Sequence, residues 1–280
     1  MQPDIEARLS RCRTLPSPPR ICEQILELAR RPELELTDLA GVIGRDPGLA
    51  ARVLRIANSS FYARRRNVTN LRNALVVLGL NAAISLALGF SLVRSLSDGK
   101  GGAERYTRFW SRSLLAAHAA EELSRRLAGG LPEDAILAAM VQYVGVIAMA
   151  QALGEAYRAL ISEKVRFDHD ALVVAERERF GTDHAEVGVW LIERWDLPES
   201  LRGAVAASHG SRPLPADDPE GAFSNCIAVS GCVADLWLSE DHHQAIEKAR
   251  LMASDWLGLA PEALGAVVDA VSARIPETME

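Results

Sequence analysis

Residues 37–62 read TDLAGVIGRDPGLAARVLRIANSSFY. Asp46-Pro47 is a strong helix start: a side chain that can accept a backbone N–H at the N-cap, then a residue with no N–H to leave unpaired. Leu49, Val53, Leu54 and Ile56 follow at the spacing that puts apolar groups on one helical face. Upstream, Thr37 can cap a short helix, DLAGVIG. The stretch therefore reads as two short helices with a tight break between them. That cadence resembles a helix-turn-helix, but reading DNA requires polar or basic side chains at the start of the second helix. Here that start is Pro47, Gly48, Leu49, Ala50 and Ala51, so packing is the expected role.

The same punctuation recurs outward. Pro18-Pro19 opens ICEQILELAR, with Ile21, Ile25 and Leu28 on one face. Thr69 can cap LRNALVVLG, Gly79 can end it, and Asn81 can cap the next helix. A long helix is expected from about Ala103 to Ala128, stopped by Gly129-Gly130. Leu131-Pro132-Glu133-Asp134 starts another. Asp168 can open DALVVAERERF, and Thr182 can open the helix that holds His184. Trp195-Asp196-Leu197-Pro198 is a break, and residues 211–221 are an exposed loop. Further helices are expected at 222–238, 241–257 and 261–274. No period-2 strand and no fixed-period repeat is visible. The fold class expected is all-α, a multi-helix bundle.

Composition agrees. Aromatic residues are 5% of the 280 positions, apolar residues 49% and charged residues 24%. Ala and Leu predominate, which favours helices over strands. The net charge of −6 gives no global electrostatic case for nucleic acid. Cys12, Cys22, Cys226 and Cys232 form no C-x-x-C pair, so neither a zinc framework nor a disulfide scaffold is indicated. The opening MQPDIEARLS is polar and mixed in charge, unlike a secretory leader. The expectation is a reducing cytoplasm. Asn73–Val93 and Ala135–Gly154 are each about as long as a spanning helix. Their glycine and polar residues favour buried helices of a bundle, so no membrane span is expected.

Residues 139–148, AMVQYVGVIA, set Gln142 and Tyr143 side by side where nothing from Ala135 to Gly154 carries a charge. They can be core groups, a partner surface, or occupants of positions where a stronger functional pair would stand. Phe61-Tyr62 and the cluster Arg64-Arg65-Arg66 form a second candidate. Three guanidiniums can hold phosphates or an acidic partner; the bland alternative is a solvated loop between helices, with the neighbouring NSSFY at 58–62 pinned by side-chain hydrogen bonds. The six histidines include no H-E-x-x-H, and no G-x-S-x-G or glycine-rich phosphate loop occurs.

These stretches, together with LPSPPRICEQILEL (15–28), VTNLRNALVVLGLNAAISLALGFSL (68–92), FWSRSLLAAHAAEELSRRLA (109–128), AILAAMVQYVGVIAM (135–149) and FGTDHAEVGVWLIERWDLPESLRGAVAASH (180–209), resemble the HDOD domain of bacterial signalling proteins. The resemblance covers about residues 14–210. It implies an N-terminal helical lobe over about 14–100, a lobe similar to HD phosphohydrolases over about 103–210, and a helical extension at 211–280 packed on that second lobe.

The HD enzymes hold divalent metal with one His, an adjacent His-Asp pair and a later Asp. Imidazoles and carboxylates suit the cation, and the metal makes hydroxide near neutral pH. In this sequence the first His position is taken by Arg112, which cannot ligate and repels a cation. The His-Asp pair falls on Gln142 and Tyr143. Asp235 matches the late Asp, and His184 and His209 match histidines common among relatives. Gln142 and Tyr143 are expected to satisfy each other's neighbours inside the core. The resemblance thus implies no metal, no cofactor and no catalysis. It implies a regulatory module that binds a signalling protein, such as a kinase, a receiver or a cyclic-nucleotide-turnover protein. A divergent metal-dependent phosphohydrolase is the alternative, and a DNA-binding regulator a third. The sequence leaves the oligomeric state open.

Overall fold

A computed structural model describes residues 3–12, 20–58, 68–97, 103–130, 132–164, 169–197, 199–209, 212–215 and 217–274. Among them are sixteen α-helices and no strand. The first six are α1 (Pro3–Arg11), α2 (Arg20–Ala29), α3 (Leu36–Ile43), α4 (Pro47–Ala57), α5 (Leu71–Leu78) and α6 (Leu80–Ser97). Then come α7 (Ala103–Ser124), α8 (Pro132–Val141), α9 (Val144–Leu153), α10 (Glu155–Lys164) and α11 (His169–Phe180). The last five are α12 (His184–Arg194), α13 (Glu199–Ala207), α14 (Pro219–Leu238), α15 (His242–Leu257) and α16 (Pro261–Ser272).

The Asp46-Pro47 start is real: the Asp46 carboxylate accepts the Leu49 N–H at 3.1 Å, and Leu49, Val53 and Ile56 are buried. Four other caps differ from expectation by a residue or two. Glu35 rather than Thr37 precedes α3, and the Thr37 hydroxyl donates back to Glu35. Asn70 rather than Thr69 caps α5, and Asp183 rather than Thr182 caps α12. Asn81 lies inside α6, because Gly79 at φ 81° turns the chain so abruptly that the new helix begins at Leu80. At α5 and α12 the residue next to the expected threonine takes a free N–H, Asn70 from Asn73 and Asp183 from Glu186, whereas Glu35 makes no side-chain cap.

The helix expected to Ala128 stops at Ser124. Gly129 is at φ 70°, and a methyl on Gly130 would fall 1.9 Å from the Ser124 carbonyl oxygen. The glycine pair folds the chain back against the helix end instead of capping it directly. The apolar run 135–154 is not one uninterrupted helix either. Gln142 and Tyr143 form a break between α8 and α9.

α6 joins the two halves, packing on α2 and α4 at one side and on α8 and α9 at the other. α7 is the axis of the second half, with α8, α14 and α16 against it. By length and composition, Asp134–Leu153 and Pro219–Leu238 are apolar enough to cross a membrane; 89% and 67% of those windows are buried inside the fold. The Leu71–Leu78 and Leu80–Leu92 segments also pass that test together, but they are bent by 113°. α9 and α12 approach closely because both carry glycine at the crossing. A methyl on Gly145 would lie 1.9 Å from the His184 carbonyl oxygen, and one on Gly188 would lie 3.0 Å from Val205 Cγ1.

Candidate functional site

The break at Gln142–Tyr143 delivers two polar side chains to the centre of the second half. Gln142 is fully buried and Tyr143 is 2% exposed. Gln142 Nε2 donates to the Ala139 carbonyl at 3.0 Å, on its own helix. Its oxygen Oε1 has no hydrogen-bond partner. The expectation that Gln142 and Tyr143 satisfy each other's neighbours is therefore corrected: the amide turns back on α8, because the break leaves that carbonyl exposed to it.

Tyr143 serves instead as a floor. The Arg112 guanidinium lies 4.5 Å above its ring, within cation–π range. Arg112 comes from α7 and reaches α14. Its Nε donates to Asp235 Oδ1 at 2.6 Å and its Nη2 to Oδ2 at 2.5 Å. Nη2 also reaches the Gly231 carbonyl at 3.3 Å, while Nη1 is buried without a partner. A planar fork on a carboxylate is the geometry for which guanidinium is suited. The cation in this site is thus a side chain.

Two histidines also stand against Tyr143, with ring centroids 6.1 Å (His184) and 5.6 Å (His209) from its own. His184 opens α12. Glu176, from α11, accepts the His184 backbone N–H at 3.0 Å and its Nδ1 at 2.7 Å. The same carboxylate accepts the Tyr157 hydroxyl. A carboxylate at a helix N-terminus is favoured by the free N–H groups there. His184 Nε2 lies 2.9 Å from His209 Nε2. With Nδ1–H committed to Glu176, a neutral His184 accepts at Nε2, so His209 donates its Nε2–H. Burial, with His184 and Arg112 beside it, holds the His209 imidazole well below the usual histidine range.

His209, Tyr143, Arg112 and Asp235 border a cleft of about 840 Å³. α11 and α15 supply its outer walls, with Val173, Val174, Leu251, Met252 and Trp256 among the apolar groups. Cys232 also borders it, but burial pushes that thiol up to about 11, so it is no thiolate at neutral pH.

The structure therefore gathers Arg112, Tyr143, His184, His209 and Asp235, with Gln142 beside them. Sequence reasoning missed Glu176, Tyr157 and the α15 wall. A Glu within ERERF carries no signal of burial, and α15 lies some hundred residues from Tyr143 in the chain. Phe61, Tyr62, Arg64, Arg65 and Arg66 lie outside the described residues. Asn58, at the base of that segment, holds Val68 through two bonds of 2.6 and 2.8 Å.

The HDOD domain profile matches residues 15–211. The chain belongs to the HDOD family. Among solved structures, an HDOD domain protein of unknown function from Geobacter sulfurreducens is 25% identical, covering 99% of this chain and 97% of that one, with TM-score 0.73. The MmoQ response regulator from Methylococcus capsulatus str. Bath is 29% identical over 92% and 98%, with TM-score 0.53. A Shewanella amazonensis SB2B protein provisionally described as a phosphohydrolase shares the fold at 22% identity, over 98% and 96%, with TM-score 0.72. An uncharacterized protein of Treponema pallidum (strain Nichols) is 20% identical over 201 residues, 70% of this chain. The chain spans 38% of that curated relative's length.

The metal of the related HD enzymes does not fit the residues present. Arg112 puts a fixed positive charge on Asp235, and Gln142 and Tyr143 offer a buried amide and a phenol. Among the described residues no set of three or more His, Cys, Asp or Glu side chains is placed to hold a metal ion.

Proposed function

We propose that this HDOD protein is a non-catalytic bacterial signal-transduction module. It acts in the cytoplasm, without a membrane span, by binding a signalling protein such as a kinase, a receiver or a cyclic-nucleotide-turnover protein. The outputs in view are motility, stress, virulence or related behaviour. The observation that carries the reading is the Arg112–Asp235 fork over Tyr143. A guanidinium held by two bonds supplies positive charge but no open coordination site, and so cannot activate water as a metal does. The name of the Methylococcus relative, a response regulator, supports a signalling context. The acidic net charge and the buried Leu49 at the start of α4 support setting aside a DNA-binding role.

The test is to load the purified chain with manganese, iron and zinc in turn, then measure bound metal and hydrolysis of bis-p-nitrophenyl phosphate. The expected result is no stoichiometric metal and no metal-dependent turnover. Metal bound one or more per chain, with turnover lost in His184→Ala, would establish the divergent phosphohydrolase instead.

A further inference from the structure

The two outer walls of the cleft are carried by different parts of the fold. α11 packs on α10, and α15 packs on α14. The later turns of α11 are pinned: Glu176 accepts from Tyr157 and His184, and Arg177 pairs with Asp183. Its first turn is held differently. There the Asp170 carboxylate accepts from the Lys248 ammonium of α15, on the facing wall. Apolar contact does not close the mouth beside this pair. Val174 of α11 and Leu251 of α15 both border the cleft and are 55% and 50% exposed, so neither is packed away against the other wall.

The ion pair stands in front of a buried thiol. Lys248 and Asp170 border the same cleft as Cys232, and both of their charges act on it. Their side chains are 37% and 60% exposed, whereas Cys232 is buried at 8%. The pair therefore lies toward solvent and the thiol behind it. An exposed ion pair is weak and is screened by salt. Each member is stable when parted: the ammonium returns to water on its flexible stem, and the carboxylate keeps the free N–H groups of its own helix start. Such a tie can open without disturbing the core.

We infer that the Lys248–Asp170 ion pair is the gate of the cleft, a salt-sensitive strap between α11 and α15 whose release lets small solutes reach the inner wall at Cys232. The first turn of α11 moves, and the turns pinned through Glu176 and Arg177 stay. This goes beyond the partner-binding reading and does not depend on it.

The probe is N-ethylmaleimide, which is uncharged and adds to thiols. It is applied to the full chain carrying Cys12→Ser, and labelling is followed residue by residue from fragment masses. Cys226, 1% exposed on the same helix and donating to the Ala120 carbonyl, reports any general loosening. The expected result is that Lys248→Met labels Cys232 about twofold to fivefold faster, the range over which an exposed ion pair can shift an opening equilibrium, with Cys226 unchanged. The sign is diagnostic. Burial holds the Cys232 thiol up at about 11, and Lys248 is the strongest influence opposing it. Losing that charge alone would slow the reaction, so acceleration reports access. In about 1 M sodium chloride the parent chain should also label faster at Cys232, while Lys248→Met no longer responds to salt. An unchanged or slower Cys232 reaction in Lys248→Met, a salt response that persists in that variant, or Cys226 labelled in step with Cys232 would overturn the inference. None of these outcomes bears on metal content or hydrolysis, so the two readings fail separately.

Discussion

Arg112 and Asp235, 123 positions apart in the chain, are joined by two hydrogen bonds of 2.6 and 2.5 Å. Arg112 is nearly buried, with its side chain 9% exposed, while that of Asp235 is 24% exposed. The pair is therefore asymmetric. Asp235→Asn leaves a guanidinium in the core with only the Tyr143 face and neutral oxygens for company. Arg112→Met leaves a carboxylate that can turn to water. Breaking a fully buried pair costs about 3–5 kcal/mol. The expected loss is about 2–4 kcal/mol for Asp235→Asn and about half that for Arg112→Met. Urea denaturation of both variants checks the order; a larger loss for Arg112→Met would mean that packing of the arginine stem, not its charge, holds α7 to α14.

His118 carries a pH dependence. Arg274, almost fully buried on the C-terminal side of α16, donates to His118 Nδ1 at 2.8 Å and to Glu121 at 3.0 Å. Burial, then the Arg274 charge, pushes the His118 imidazole down to about 3 from the usual 6.5. The neutral ring is the folded form, so below pH 6.5 the unfolded chain takes up a proton that the folded chain refuses. Stability is therefore full above pH 6.5 and falls as pH drops from there toward 3, by about 1.4 kcal/mol per pH unit for one such group. His209 has the same sign. Denaturation at pH 7.5 and 5.0 should show a smaller drop for His118→Gln than for the parent chain. An equal drop would place the proton uptake elsewhere.

Gly145 sets the distance between α9 and α12. Alanine there meets a backbone carbonyl at 1.9 Å, which no rotamer change relieves. Gly145→Ala should lose about 3 kcal/mol or more, or fail to accumulate as folded protein. Gly188→Ala faces a valine methyl at 3.0 Å and should lose about 1 kcal/mol. Melting temperatures of the two variants make the comparison, and similar values would mean that the helices slide apart freely.

The hydrogen-bond chain from Tyr157 through Glu176 and His184 to His209 should fix the histidine tautomers. Nitrogen NMR of the labelled chain is expected to show the His209 ring neutral at pH 6 and a proton on Nδ1 of His184, held by Glu176. Glu176→Gln can donate as well as accept, and should scramble that assignment while costing about 1–3 kcal/mol. An unchanged tautomer pattern in the variant would show that Glu176 does not set it.

The helices were legible because their signals are local. Asp46-Pro47 starts α4 through one side chain and one missing N–H, and Ile25 and Leu28 mark their buried face by spacing alone. The polar oddity of Gln142–Tyr143 was legible too, since an apolar run makes any amide conspicuous. Cap choice between neighbours such as Thr69 and Asn70 was not, because both can accept and only the chain's path selects one. Nor could spacing reveal that Arg112 forks onto Asp235, that Glu176 lies under His184, or that α15 walls the cleft. Each of those pairings depends on how helices far apart in sequence cross, and that is set by close approaches such as Gly145 on His184. The sequence by itself determined the helices, their apolar faces and the presence of an amide and a phenol within an apolar run. The tertiary structure decided what those groups do, because a buried charge takes its partner from whatever the packing brings within reach.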